Sequence, residues 1–358
     1  MIPTYDNLRR ELLPGITLAQ ADALERATRS FIDTRDLALY RIMAFQMGWI
    51  DENGDPALVP HRARLHGQFA LAVGSAISSA GQDATESVVP YAISFELLHN
   101  FALIHEDVED GNTERNGRPS VWWTWGPAQA INAGDGMHAM ARMAIFAVSD
   151  QGEPDEQVTA SLRALDQAAM LYCEGEYADI MMQEQLALST KKYLDMTRMR
   201  SGSLFGAAAQ VAAIATRQHE LATSLFTFGQ VAGAARQIAE DYMLFWGGEQ
   251  LDPVQQGRLL TKKKNLPVVH TFEHGTPGTK RRLGEIYAQR VIDPAKLGVV
   301  KDLLNEAGAR EHTVETLNQL TQEASDALDA EYLDHGVKEK LIAALRGLVG
   351  LGDEKVEQ

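Results

Sequence analysis

Between residues 95 and 120 the chain reads FELLHNFALIHEDVEDGNTERNGRPS, and its hydrophobic pattern changes character within a few positions. Phe95, Leu97, Leu98, Phe101, Leu103 and Ile104 fall on nearly every side of a 3.6-residue repeat, which predicts a helix inside the protein rather than on its surface. Glu106, Asp107, Glu109 and Asp110 follow at once. Helical spacing recurs over 18–47, as one long helix or two short ones with Thr17 as the cap, and over 68–79, 126–148, 155–182, 193–216 and 219–245. It continues over 266–273, 280–289 and 299–348. Residues 51–60, DENGDPALVP, are turn formers and read as a loop. Alternating strand patterns are scarce, and no Pro/Ser-rich linker divides the chain. The pattern therefore predicts an all-α protein with a single helical domain over 1–350 and a frayed tail at 351–358.

Charge narrows the partners. Lys and Arg number 33 against 49 Asp and Glu, and the net charge of −16 argues against nucleic acid or an anionic membrane as the main partner. An anionic substrate would need local basic residues and metal. A single cysteine, Cys173, excludes an intrachain disulfide framework and a Cys-rich zinc site, and favours a reducing, cytoplasmic location. No run approaches a membrane-spanning length of uninterrupted apolar residues, and no secretory signal is legible, so a soluble protein is expected.

Chemistry concentrates where the 95–120 helix turns acidic. Glu106 and Asp110 lie one turn apart, and Asp107 is three residues before Asp110, so three carboxylates share one face. Such a set at the end of a buried helix repels itself unless a cation is present, and a few carboxylate oxygens are what Mg²⁺ takes together with water and substrate phosphates. Arg115 and Arg118 follow, with donors suited to phosphate oxygens. The plainer alternative is a solvated helix end. A second pair, Glu240 and Asp241, stands late in the apolar stretch GQVAGAARQIAEDYMLF, with Leu244 one turn beyond it instead of another carboxylate. Two such helices facing each other could clamp metal ions and a diphosphate between them, and here too a capped or solvated helix end is the alternative.

Six segments in order carry a resemblance: LIHEDVEDGNTERNGRPS, AINAGD (130–135), GEYAD (175–179), RSGSLF (200–205), ARQIAED (235–241) and KKNLP (263–267). Together they resemble the trans-isoprenyl diphosphate synthases, or polyprenyl synthetases, from about residue 61 to 267. The resemblance implies an isoprenoid-synthase helical bundle that ionises an allylic prenyl diphosphate with Mg²⁺. It implies metal ligands at Glu106, Asp107, Asp110, Glu240 and Asp241, and allylic diphosphate contacts at Arg115, Arg200, Ser201, Gln237 and Lys263. Isopentenyl diphosphate, the second substrate in that family, would meet His61, Arg64 and His99. Asn116 and His61 stand where the family carries cations. Phe101 and Ala102, five and four residues before Glu106, would set pocket depth, with Phe101 in the floor and products of about three or four isoprene units. A homodimer is implied as well.

Three functions follow from this resemblance. Prenyl transfer comes first, with Asp107 and its neighbours as metal ligands rather than general bases. Cyclisation of one long allylic diphosphate by a terpene synthase is second, with Trp122, Trp123, Trp125 and the run from Tyr242 to Trp246 as aromatic surface that could stabilise a cation. Third is a non-catalytic subunit that binds prenyl diphosphate, against which the retained first acidic motif argues.

Overall fold

The computed structural model describes residues 12–34, 36–57, 63–78, 83–150, 152–183, 185, 188–247, 257, 259–260, 263–289, 291–328 and 333–351. These residues form a helical bundle, and its first elements are α1 (Leu18–Ile32), α2 (Ala38–Met47), α3 (Leu65–Ile77) and α4 (Thr85–Asp110). Thr17 caps α1 through a reciprocal box with Gln20, as its sequence predicts. The stretch 18–47 is thus two helices. After α4 come a short β1–β2 hairpin (Glu114–Arg115 with Arg118–Pro119), α5 (Val121–Trp125), α6 (Pro127–Ser149) and α7 (Asp155–Gln183). The hairpin is the one β-sheet among the described residues, and Ile50 and Pro56 form an isolated bridge.

The second half holds α8 (Thr190–Thr197), a π-helical turn at Arg198–Gly202, α9 (Ser203–Ala215) and α10 (Ala222–Trp246). Then follow α11 (Leu266–His274), α12 (Pro277–Tyr287), α13 (Leu297–Glu306), α14 (Ala309–Asp326) and α15 (His335–Leu348). Helix α4 packs on α6 and α3, while α9 lies against α10, α3 and α7, so α4 and α9 are the inner elements. Helix α4 is long and apolar enough in composition to cross a membrane, but most of it is buried in the bundle, as befits a core helix.

One large apolar cluster spans α1 to α10, α14 and α15, and a smaller one joins the end of α10 to α11, α12 and α13 through Leu244, Phe245, Leu283 and Leu303. Leu351, assigned to the tail by its sequence, is only 1% exposed and belongs to the large cluster. It is apolar and lies just beyond α15, whose apolar face already enters the core. Residues 352–358 of that tail lie outside the described residues.

Candidate active site

Helix α4 stops where its acidic residues stop, because Gly111 adopts a left-handed conformation (φ 67°) that a glycine takes without steric strain. This places Glu106, Asp107 and Asp110 in the last turns, at the negative end of the helix dipole, with no basic residue in the final turn. Charge of the wrong sign at that end must be compensated from elsewhere in the fold. Three cations do so.

The first comes from the hairpin. Asn116 (φ 53°) and Gly117 (φ 71°) form its turn, and Asn tolerates the left-handed conformation that this Asn-Gly pair demands. The turn folds Arg115 back onto the helix it has just left. Its Nε donates to Asp107 Oδ1 and Oδ2 at 2.8 and 3.0 Å, and its Nη2 donates to Glu106 Oε2 at 3.0 Å. Arg118 faces away from the site: its guanidinium donates to the carbonyls of Phe45 (3.1 Å) and Ile50 (2.5 Å), which anchors the hairpin to the end of α2.

The second cation, Arg200, sits in the π-helical turn, an irregularity often found at functional sites. That turn approaches α7 so closely that a Cβ on Gly175 would stand 2.4 Å from the Arg200 backbone nitrogen, so the glycine of GEYAD is a requirement of packing. The glycine of AINAGD acts in the same way, because a Cβ on Gly134 would meet the His105 ring at 2.3 Å. Arg200 Nη2 donates to Glu106 Oε1 at 2.6 Å, and its Nε donates to Glu176 Oε2 at 2.5 Å and lies 3.8 Å from Asp179 Oδ2. Burial alone would lower the Arg200 pKa. The carboxylates of Glu176, Glu106 and Asp179 outweigh it and hold the guanidinium well above its ordinary value.

Lys263 is the third. It precedes Asn265, whose side chain accepts from Val268 N and so caps α11. Its Nζ lies 2.7 Å from Asp110 Oδ2, 3.3 Å from Asp179 Oδ2 and 3.4 Å from Glu106 Oε1. Burial and the Arg200 charge act to lower its pKa, but Glu106, Asp179 and Asp110 raise it on balance, so this lysine stays charged. Burial pushes the Asp107 carboxyl upward against the pull of Arg115, and burial with the charges of Glu176 and Asp110 lifts Glu109 to about 7.

The second acidic helix contributes differently. Asp241 is almost wholly buried, and its carboxylate accepts from the Tyr193 hydroxyl at 2.6 Å, Leu266 N at 2.9 Å and Gln237 Nε2 at 3.0 Å. The Ser201 hydroxyl donates in turn to Gln237 Oε1 at 3.0 Å. Asp241, Gln237, Ser201, Arg200, Asp179 and Lys263 line one cavity of ≈ 20 Å³, room for about one water. Glu240 is directed elsewhere: it is 33% exposed and pairs with Arg236 at 3.1 Å, one turn back on α10.

The residues expected on the isopentenyl side do not join this cluster. Arg64 is buried and donates to Glu25 Oε2 at 2.7 Å, to Glu25 Oε1 at 3.0 Å and to the Met47 carbonyl at 2.8 Å. The His99 ring lies 4.2 Å from that of His66, which itself stacks on Phe205 at 4.0 Å. Burial, with His99 and Arg236 nearby, holds His66 well below the usual histidine range. His61 lies outside the described residues. Phe101 is buried against α6, edge-on to His105 and His138. The aromatic residues considered for cation stabilisation have other partners: Trp122 donates to the Asn112 carbonyl, Trp125 packs on Phe45, Trp246 donates to Asn305, and Tyr242 accepts from Arg310.

Glu176, Asp179 and Tyr193 are the functional candidates that residue-by-residue reading passes over. A signal existed for the first two, since carboxylates three residues apart in GEYAD share one helix face. Tyr193 had none, because its partner lies 48 residues away in sequence.

Glu106, Asp107 and Asp110 on α4 and Glu176 and Asp179 on α7 present carboxylate oxygens to this cluster, a donor set that suits a hard divalent cation. Glu176 Oε1 and Asp179 Oδ2 are buried without a hydrogen-bond partner and face the Lys263 ammonium at 3.9 and 3.3 Å. Among the described residues no three acidic or imidazole groups already stand in a metal-ligand arrangement, since Arg115, Arg200 and Lys263 hold the carboxylates instead.

Comparison with known proteins fits this geometry. The family model described as polyprenyl synthetase matches residues 49–306. The (2E,6E)-farnesyl diphosphate synthase of Mycobacterium tuberculosis strain H37Rv is 31% identical over 315 residues, covering 86% of this chain and 84% of its own. The geranylgeranyl diphosphate synthase of the same strain is 29% identical over 235 residues, 64% of each chain. The crystal structure of a polyprenyl synthetase from Streptomyces coelicolor A3(2) superposes with a TM-score of 0.81 at 27% identity, covering 92% of this chain and 97% of the other.

Proposed function

Because this chain belongs to the polyprenyl synthetase family and is a prenyltransferase of isoprenoid biosynthesis, we propose that it ionises an allylic prenyl diphosphate with Mg²⁺ and transfers the prenyl group to isopentenyl diphosphate. The observation that carries this reading is the convergence of Arg115, Arg200 and Lys263 on Glu106, Asp107 and Asp110 at the end of α4. Bound Mg²⁺ would supply positive charge to the departing diphosphate, and the three α4 carboxylates would hold it. Arg115, Arg200 and Lys263 would donate to phosphate oxygens, with Ser201 and Gln237 orienting the substrate. In the reaction the allylic C–O bond breaks with its electron pair going to diphosphate. The acceptor double bond attacks the allylic carbon to form the new C–C bond, and the proton then lost from the acceptor passes to the released diphosphate.

Arg64 and His99 are the proposed contacts to isopentenyl diphosphate. Arg64 would have to exchange part of its pairing with Glu25 for the substrate, and Asn116 serves the hairpin turn. Labelled isopentenyl diphosphate supplied with an allylic diphosphate tests the reading: label should enter a longer, linear prenyl diphosphate. Nothing in the geometry favours cyclisation or a non-catalytic role.

Pocket depth is read from α4. Ala102 lies one turn before Glu106 on the same face, and its small side chain leaves room for a chain of about three or four isoprene units. With Phe101 in the floor, Phe101→Ala should lengthen the products by at least one isoprene unit in chromatographic analysis. An unchanged distribution from a stable variant would reduce Phe101 to packing against His105 and His138.

A cytoplasmic homodimer completes the proposal. Ile131, Met143 and Phe146 on α6 and Met170, Tyr177 and Ile180 on α7 are between 40% and 68% exposed, and they share the outer surface of two neighbouring helices. Apolar side chains grouped in this way favour a second copy as cover. Met143→Asp with Phe146→Asp should convert the dimer to a monomer in sedimentation velocity. A wild type that sediments as a monomer at micromolar concentration would contradict the assignment.

A further inference from the structure

We propose that Glu176 and Asp179, on α7, are metal-binding residues of this enzyme and supply the carboxylates that its second acidic motif does not. The proposal rests on the reading of the cluster as a metal-dependent diphosphate site. It adds a third helix to the wall of that site.

Four observations support it. Glu176 and Asp179 are 5% and 2% exposed and lie three residues apart on one face of α7, opposite the end of α4. Glu176 Oε2 holds Arg200 and accepts weakly from the Tyr172 hydroxyl at 3.3 Å, while Glu176 Oε1 has no hydrogen-bond partner and stands 3.9 Å from Lys263 Nζ. Asp179 Oδ2 likewise has none and stands 3.3 Å from the same ammonium. Lastly, the second motif has little left to offer a metal, because Asp241 already accepts from three donors and Glu240 pairs with Arg236 near the surface.

Charge decides what these oxygens await. Glu106, Asp107, Asp110, Glu176 and Asp179 face Arg115, Arg200 and Lys263, which leaves an excess of two negative charges even before Glu109, lifted to about 7 beside them, is counted. When the three cations turn to a diphosphate, the carboxylates lose their partners while about three more negative charges arrive. Divalent cations among the carboxylates restore balance, roughly two or three of them. The three carboxylates of α4 are few for that number of ions, and α7 presents the only other carboxylates among the described residues that touch both Arg200 and Lys263.

Binding of Mn²⁺ in the presence of inorganic pyrophosphate tests this without turnover. Free Mn²⁺ is followed by electron paramagnetic resonance in the wild type and in Glu176→Gln, Glu176→Asp, Asp179→Asn and Asp241→Asn. Glu176→Gln and Asp179→Asn should each lose one bound ion or weaken Mn²⁺ binding by about tenfold or more, whereas Glu176→Asp, which keeps the charge, should recover most of it. Asp241→Asn should retain the wild-type number of ions. A purely structural role for Glu176 would instead lower thermal stability while leaving Mn²⁺ stoichiometry and affinity unchanged, and that result overturns the proposal. So does loss of Mn²⁺ with Asp241→Asn alone, or a wild type that binds no Mn²⁺. If Glu176→Gln binds Mn²⁺ normally while the wild type elongates an allylic diphosphate, this assignment fails and prenyl transfer stands. If Mn²⁺ binding depends on Glu176 but no allylic diphosphate is consumed, the reverse holds.

Discussion

Asp107→Asn is expected to slow diphosphate release from an allylic substrate by about 10²–10³-fold or more, the scale on which preorganised charge at a developing anion acts. The substitution keeps the size of a nearly fully buried side chain and removes only its charge. Arg115, whose Nε now divides itself between both Asp107 oxygens, would be left to Glu106, and one candidate metal oxygen would become an amide. Asp110→Asn should act similarly, through its 2.7 Å pairing with Lys263. Asp241→Asn should be milder on the chemical step, because that carboxylate is already committed to Tyr193, Gln237 and Leu266 N. Single-turnover release of diphosphate measures all three. Equal losses for Asp107→Asn and Asp241→Asn would show that the two acidic helices share the metal after all.

Arg200→Met should lower folding stability by about 3–5 kcal/mol, as expected when one partner of a buried ionic cluster is removed and the other charges stay. Without the guanidinium, Glu176 and Asp179 are left to Lys263, and Glu106 is left to Lys263 and Arg115. Arg200→Lys restores the charge but cannot span Glu106 and Glu176 with two separate N–H groups, so it should recover part of the stability. Combining Arg200→Met with Glu176→Gln should also recover part, since it removes one of the orphaned charges. Chemical denaturation followed by circular dichroism provides the measurement. A loss below about 1 kcal/mol would mean that water reaches the cluster and the pairs are worth no more than surface ones.

Much of this architecture was legible in the residue pattern. The periodicity of 95–104 marks α4 as a core helix, and the spacing of Glu106, Asp107 and Asp110 gives them one face without knowledge of any neighbour. Arg200 and Lys263 could be placed only through resemblance, because what brings them to Glu106 is a π-helical turn and an approach to α11, and neither leaves a periodic trace. Arg64 shows the opposite limit. Its type suits a phosphate, but a carboxylate on α1, Glu25, takes its donors, and a pairing across 39 residues is set by tertiary packing. Asn116 is explained by local geometry, since a side chain chosen for a left-handed turn is poorly explained as an eroded cation. The saturation of Asp241 was hidden in the sequence for the same reason as Arg64: Tyr193 and Leu266 lie far away along the chain.

The central claim is that this cluster removes diphosphate from one prenyl substrate so that the prenyl group can join a second. Product analysis after incubation with geranyl diphosphate and Mg²⁺, with and without labelled isopentenyl diphosphate, tests it most directly. The account predicts label in a linear prenyl diphosphate longer than the substrate, diphosphate released in step with label incorporated, and no product when chelator is in excess. Diphosphate released at the same rate without isopentenyl diphosphate, accompanied by an unlabelled cyclic hydrocarbon or alcohol, would contradict it.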